Sequence, residues 1–235
     1  MPTIGIGAWP HFMAMMILDE LMPVWDARRV EQRVVEAPLA VVYGSALTAD
    51  FLDAVRRSPI VKALFAVRSA AERTVAFIRR RPFEEPPTPA ALRLIDLPST
   101  GEWVGLGQSP TEIAFGVVGR FWGGETRWCS IDAGEFATFS TPGYAKIGCH
   151  IRLIPYWSNR TVVSYEARTV ATDAASRRAF LRYWRVVSPF VGIVMRSTLA
   201  VIDHDARAAS VGARGPHPTP ADRAPADEPE HQLVP

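Results

Sequence analysis

TVVSYEARTVATDAASRRAFLRYWRVVSPFVGIVMRST, residues Thr161–Thr198, changes its hydrophobic period once, and that change sets the architecture. Its opening, Thr161–Val170, is rich in β-branched residues and reads as a strand. Thr172-Asp173 follows as a helix N-cap signal. Phe180, Trp184, Val187, Val191, Val194 and Thr198 then recur at spacings of four, three, four, three and four, which is the helical period. Tyr183, Phe190 and Ile193 widen the apolar arc, and Arg178, Arg182 and Arg185 form a basic stripe on another side. Pro189, with Gly192 after it, predicts a kink near Val186. The apolar run Val186–Met195 is far shorter than the roughly 20 residues a bilayer requires.

Upstream of this helix the chain is rich in strands. Leu92–Ile95, Trp103–Leu106, Glu112–Trp122, Glu135–Phe139 and Tyr144–Leu153 are strand candidates, with Thr141-Pro142-Gly143 as a turn and Ser158-Asn159 as a hairpin turn. Asn159-Arg160-Thr161 fits a glycosylation sequon and reads as part of that turn. Earlier still, Arg29–Glu36 reads as a strand and Leu39–Leu47 as a short helix. Ser58-Pro59 opens a second helix carrying Ile60, Leu64, Val67 and Ala71, and Arg79–Pro89 reads as a surface loop. The order is strand, two helices, several antiparallel strands and one long helix. Elements that do not alternate argue α+β rather than a parallel α/β sheet.

Composition narrows the function classes. The chain has 235 residues, 48% hydrophobic and 21% charged, with a net charge of +2. That balance excludes a strongly basic nucleic-acid binder as the default. Cys129 and Cys149 have no metal-ligand spacing and read as small buried hydrophobes. No metal or cofactor site is legible. Residues 1–23 read as an extension with a short amphipathic helix over Phe12–Leu21, lacking the basic start of a signal peptide. Met13, Met15 or Met16 is an alternative start of translation. From Ala206 the composition shifts to Ala, Pro, Gly, Arg and Asp, so residues 206–235 are expected to be a disordered tail. The expected location is the cytoplasm.

Five segments carry a resemblance: LDELMPVWD at Leu18–Asp26, FGVVGRFW at Phe115–Trp122, EFATFSTPGYAKIG at Glu135–Gly148, YEARTVATD at Tyr165–Asp173 and FLRYWRVVSPFVGIVMR at Phe180–Arg196. With the element order over residues 24–205, they resemble the START-like, helix-grip (SRPBCC) superfamily, in an uncharacterised bacterial subgroup of actinobacterial type. The first segment also suggests that the domain proper begins near Leu18. The resemblance implies a curved antiparallel sheet wrapped around the long C-terminal helix, with two short helices after the first strand. Between sheet and helix it implies a mostly apolar pocket for a hydrophobic small molecule such as a lipid or an aromatic polyketide.

Candidate lining residues follow from strand faces and helix period. Arg120, Trp122, Glu166, Arg168, Phe180 and Trp184 are the pocket candidates. Glu166 and Arg168 share one strand face, so an inward orientation would make them a polar anchor in an apolar site, and an outward one a structural ion pair. Under an alternative reading as a polyketide cyclase or aromatase, Glu166 would serve as general acid or base with a pKa raised by burial. Gly116 marks either a cavity wall or a bulge. His150 shares a face with Lys146, Gly148 and Arg152 and is expected to face solvent. A third alternative is a membrane-surface or protein-interaction module using the N-terminal helix and the arginine stripe.

Overall fold

Strand pairing organises the molecule. The computed structural model describes residues 16–53, 93–123, 126–157 and 159–213, with isolated positions 62, 66, 69, 70, 73, 74 and 80 between the first two stretches. β1 (Ala27–Val35), β2 (Trp103–Ser109), β3 (Glu112–Arg120), β4 (Arg127–Cys129), β5 (Ala145–Pro155) and β6 (Thr161–Ala171) form one antiparallel sheet. Its order is β1-β6-β5-β3-β2, with β4 paired to the C-terminal end of β3. The architecture is α+β: an open antiparallel sheet with a long C-terminal helix, consistent with the helix-grip fold. The helix expected from Ser58 and the loop at 79–89 lie outside the described residues, apart from isolated positions.

The long helix, α3 (Ala174–Ala213), packs along β1 and β6, with α2 (Leu39–Thr48) beside it. Asp173 caps it: the carboxylate accepts the Ala175 and Ser176 N–H groups at 2.8 and 2.9 Å, satisfying donors that have no partner within the helix. The helix runs without interruption through Pro189 and past Asp205. Ala206, expected to open a tail, is fully buried, and Asp203 accepts from both Arg33 and Arg207. These contacts carry the helix to Ala213 despite the change in composition. By length and hydropathy alone α3 could span a membrane; here Phe180, Met195, Leu199 and Ile202 are buried within the fold.

Pleating assigns each strand residue to a face. Odd-numbered positions of β3, β5 and β6 face α3: Phe115, Cys149, Ile151, Leu153, Val163 and Tyr165 share a core with Met195, Leu199 and Ile202. Even-numbered positions face away, toward α1 (Ile17–Leu21), whose Leu18 clusters with Met22, Val118 and Phe136. The 1–23 extension therefore ends inside a packed unit, since Leu18 and Met22 are almost fully buried.

Two expected strands are not strands. Leu94–Thr100 is a 3-10 helix with Pro98 inside it, where proline can donate nothing to a ladder. Over Glu135–Phe139, Ala133–Glu135 is another 3-10 turn, and its entry is held by the Asp132 N–H donating to the Glu135 carboxylate at 3.4 Å. In exchange the sheet gains β4, three residues long and too short to show an alternation.

Candidate functional site

The six pocket candidates occupy different places. Trp122, Phe180 and Trp184 come together at one end of the helix-facing side, with ring centroids 6.2 Å apart for Trp122 and Phe180 and 5.9 Å for Phe180 and Trp184. Phe121 and Tyr183 complete this aromatic cluster. Arg120 is exposed at the end of β3. Glu166 and Arg168 are buried on the face turned away from α3, under α1. The reason is parity: both are even-numbered on β6, whereas Tyr165 and Val163 take the helix side. They are therefore not part of a space between sheet and helix.

On that far face they belong to a closed ionic network. Register places Glu112, His150 and Glu166 on neighbouring strands, with His150 directly opposite Glu166. His150 Nδ1 lies 2.6 Å from Glu112 Oε1, and Nε2 lies 3.5 Å from Glu166 Oε2. An ionised carboxylate only accepts, so two flanking carboxylates call for a proton on each ring nitrogen. Burial pushes the His150 pKa down, but the hydrogen bonds to Glu112 and Glu166 outweigh it and the net shift is upward. Glu166 also accepts from Arg28 Nε at 2.6 Å, Arg28 Nη2 at 2.9 Å and Arg168 Nε at 2.6 Å. Burial would raise its pKa; bonds from His150, Arg28 and Arg168 reverse the sign and hold it well below the usual carboxylate range. The raised pKa that a general acid needs is thus the opposite of what the site imposes.

The network also fastens α1 to the sheet. Arg168 Nη1 donates to the Met22 carbonyl at 3.0 Å, and Nη2 pairs with Asp19. The Ile17 N–H donates to Glu112 Oε2 at 3.1 Å, and the Trp25 ring lies 4.3 Å from the Arg168 guanidinium carbon. Three carboxylates (Glu112, Glu166, Asp19) thus meet three cations (His150, Arg28, Arg168), which is what makes their burial tolerable.

His150 is almost fully buried, against the expected exposure, because α1 covers a face whose sequence looks wet. Each of Glu112, His150 and Glu166 is an ionisable residue inside an apolar strand. That signal is visible in the chain, but only the register shows that they meet.

Gly116 is neither a pocket wall nor a bulge. A Cβ there would come within 2.6 Å of the Phe136 ring and 2.9 Å of Leu106, so the glycine admits Phe136 onto the far face. The bulge lies in β2, between Gly105 and Gly107.

The helix-facing side is unevenly covered. At one end the Met195, Leu199 and Ile202 cluster is closed, and at the other so is the core of the Trp122 and Phe180 cluster. Beyond the first of these clusters Ile147 and Ala167, on the interior strands β5 and β6, are only half-buried, as is Val191 of α3, and all three pack against that cluster. The polar groups near this floor include the Tyr165 hydroxyl and the Cys149 thiol, which interact, with burial pushing the thiol up to about 12, together with Thr169, opposite Ile147, and Arg29, opposite Ala167. Along β1, Glu31 accepts from Arg29 and Arg196, tying α3 to the sheet. Two depressions lined by described residues lie elsewhere. One, of about 350 Å³, touches Glu36, Trp157, Asn159 and Arg160; the other, of about 460 Å³, lies around Trp103 and Ile131. Among the described residues, no cluster of His, Cys, Asp and Glu could hold a metal ion.

No family model matches this chain, and no curated protein does. Solved structures do. The crystal structure of TTHA0849 from Thermus thermophilus aligns over 78% of this chain and 99% of its own, at 11% identity and a TM-score of 0.31. The Zhui aromatase/cyclase from Streptomyces sp. R1128 aligns over 80% of this chain and 98% of its own, at 14% identity and a TM-score of 0.29.

Proposed function

We propose that this chain binds an uncharged, apolar small molecule against the helix-facing side of β5 and β6. The observation that supports the reading is the half-covered floor at Ile147 and Ala167. Interior strands of a sheet are where burial is normally most complete, yet these positions stay partly exposed at the margin of a closed cluster. A guest seated there would bury apolar surface at roughly 25 cal/mol per Å² and find the Tyr165 hydroxyl as a polar contact. The nearby charges already have partners, since Arg29 and Arg196 both donate to Glu31, so an ionised guest gains little. Binding is preferred to cyclisation because the acid–base candidate, Glu166, is locked as a carboxylate on the other face.

Native mass spectrometry of the purified chain, followed by solvent extraction, tests this. The expected result is a co-purifying apolar compound, or a rise in melting temperature with one member of a lipid and aromatic panel. Ala167→Trp should fill the floor and abolish the signal while the protein stays folded. Unoccupied protein with no thermal response, or binding unchanged in Ala167→Trp, would overturn the proposal.

A further inference from the structure

We propose that the corner formed by the β5–β6 hairpin and the end of β1 is a docking surface for an anionic lipid membrane. Among the described residues nine large hydrophobic side chains are exposed, and four of them, Val34, Ile154, Tyr156 and Trp157, share this corner. Isolated exposed apolar residues are ordinary, whereas a contiguous set is not. Contiguity here follows from register: Val34 pairs with Val162, and Val162 pairs with Ile154, so the three form one row across β1, β6 and β5 on the face away from α3. The row continues into the hairpin end, closed by the Tyr156 N–H donating to the Arg160 carbonyl at 2.8 Å.

Trp157 is the extreme point. It is 80% exposed and has φ 64, a left-handed conformation that L residues avoid. Its ring meets Tyr156 edge-on at 6.3 Å and otherwise stands in solvent. The backbone conformation thus presents an indole outward.

The rim supplies the charge complementarity. Arg160 and Arg207 reach the Glu36 carboxylate at 3.2 and 3.8 Å, and Arg207 pairs more closely, at 2.7 Å, with Asp203, which Arg33 shares. Arg152 lies two residues before Ile154 on the same face, exposed, with its guanidinium against the Met16 thioether. The corner therefore combines a protruding indole and phenol, an aliphatic row and a surplus of guanidinium over carboxylate. Amphipathic rings settle at the level of lipid headgroups, and basic side chains are drawn to anionic ones. The surface is separate from the ligand floor, which lies on the other face of the sheet.

The test is co-sedimentation of the full chain with phosphatidylcholine vesicles and with mixed phosphatidylcholine–phosphatidylglycerol vesicles, at low and high salt. Binding is expected to the mixed vesicles at low salt and to weaken with added salt and without phosphatidylglycerol. Trp157→Gly suits the backbone conformation, so the melting curve should hold while partitioning falls by about tenfold. Arg152→Gln with Arg160→Gln should flatten the salt dependence and leave residual binding. Absence of co-sedimentation at low salt would overturn the proposal, as would unchanged binding by Trp157→Gly. Self-association in sedimentation velocity that Trp157→Gly abolishes would also overturn it, because the corner would then be an interface between copies.

Discussion

Replacing Glu166 with glutamine keeps the shape of a buried side chain and removes its charge from the middle of three cations. Glu166 is 4% exposed, and its partners Arg168 and His150 are each 2% exposed, while Arg28 is 45% exposed. Removing one member of a buried ion pair costs about 3–5 kcal/mol, because the remaining charge is left desolvated. Arg28 can turn toward water and recover part of that, so the expected loss is about 2–4 kcal/mol, or on the order of 10 °C in melting temperature for a domain of this size. Urea unfolding followed by circular dichroism measures it directly. The pH dependence gives an independent check. Glu166 and Glu112 have pKa values lowered by folding, so their contribution is present above the ordinary carboxylate range and is lost as pH falls through the folded values. His150 is raised by folding, so its contribution is full below the ordinary histidine value and is lost as pH rises through the folded one. Wild-type stability should therefore peak at mildly acidic to neutral pH and decline on both sides. In Glu166→Gln the alkaline decline should be smaller and end at lower pH, since His150 then keeps a single carboxylate. A loss under about 0.5 kcal/mol, the ordinary effect of a surface change, or an unmoved alkaline flank, would refute the claim that this network clamps the fold.

Leu18→Ala should cost about 2–4 kcal/mol by leaving a cavity under α1, where Leu18 is fully buried; a neutral result in thermal melts would mean that α1 is dispensable. Gly116→Ala should cost about 1–3 kcal/mol because the methyl meets the Phe136 ring, and Phe136→Leu in the same chain should restore part of the loss. In native protein a thiol reagent should modify the half-buried Cys129 and spare Cys149, whose thiol is buried and pushed up to about 12, with both reacting after denaturation. Counting modified thiols by intact mass checks this.

Particular residues show why some features were legible in the chain and others were not. The helical period from Phe180 to Thr198 and the long apolar strands at Glu112–Arg120 and Thr161–Ala171 are local patterns, and each element formed where its pattern lies. Leu92–Ile95 and Glu135–Phe139 misled because a few apolar residues look like a strand, while ladder partners and Pro98 decide whether one forms. For the candidate site, Trp122, Phe180 and Trp184 follow from a strand face and the helix period, and it is the structure that brings their rings together. Glu166, Arg168 and His150 depended on which sheet face turns toward α3.

Taken alone, the sequence settles the class of the fold, the places of its long strands and of the C-terminal helix, and which residues share a strand face, because periods of two and of about 3.6 are written into neighbouring residues. It leaves the choice of face open, since β3 and β6 bury both of theirs. Tertiary structure makes that choice through α1: Leu18 and Met22 seat over Gly148, and Arg168 takes up the carbonyls of Leu18 and Met22. A contact between residues nearly 150 positions apart thus buries His150 and turns Glu166 from a pocket candidate into part of a clamp.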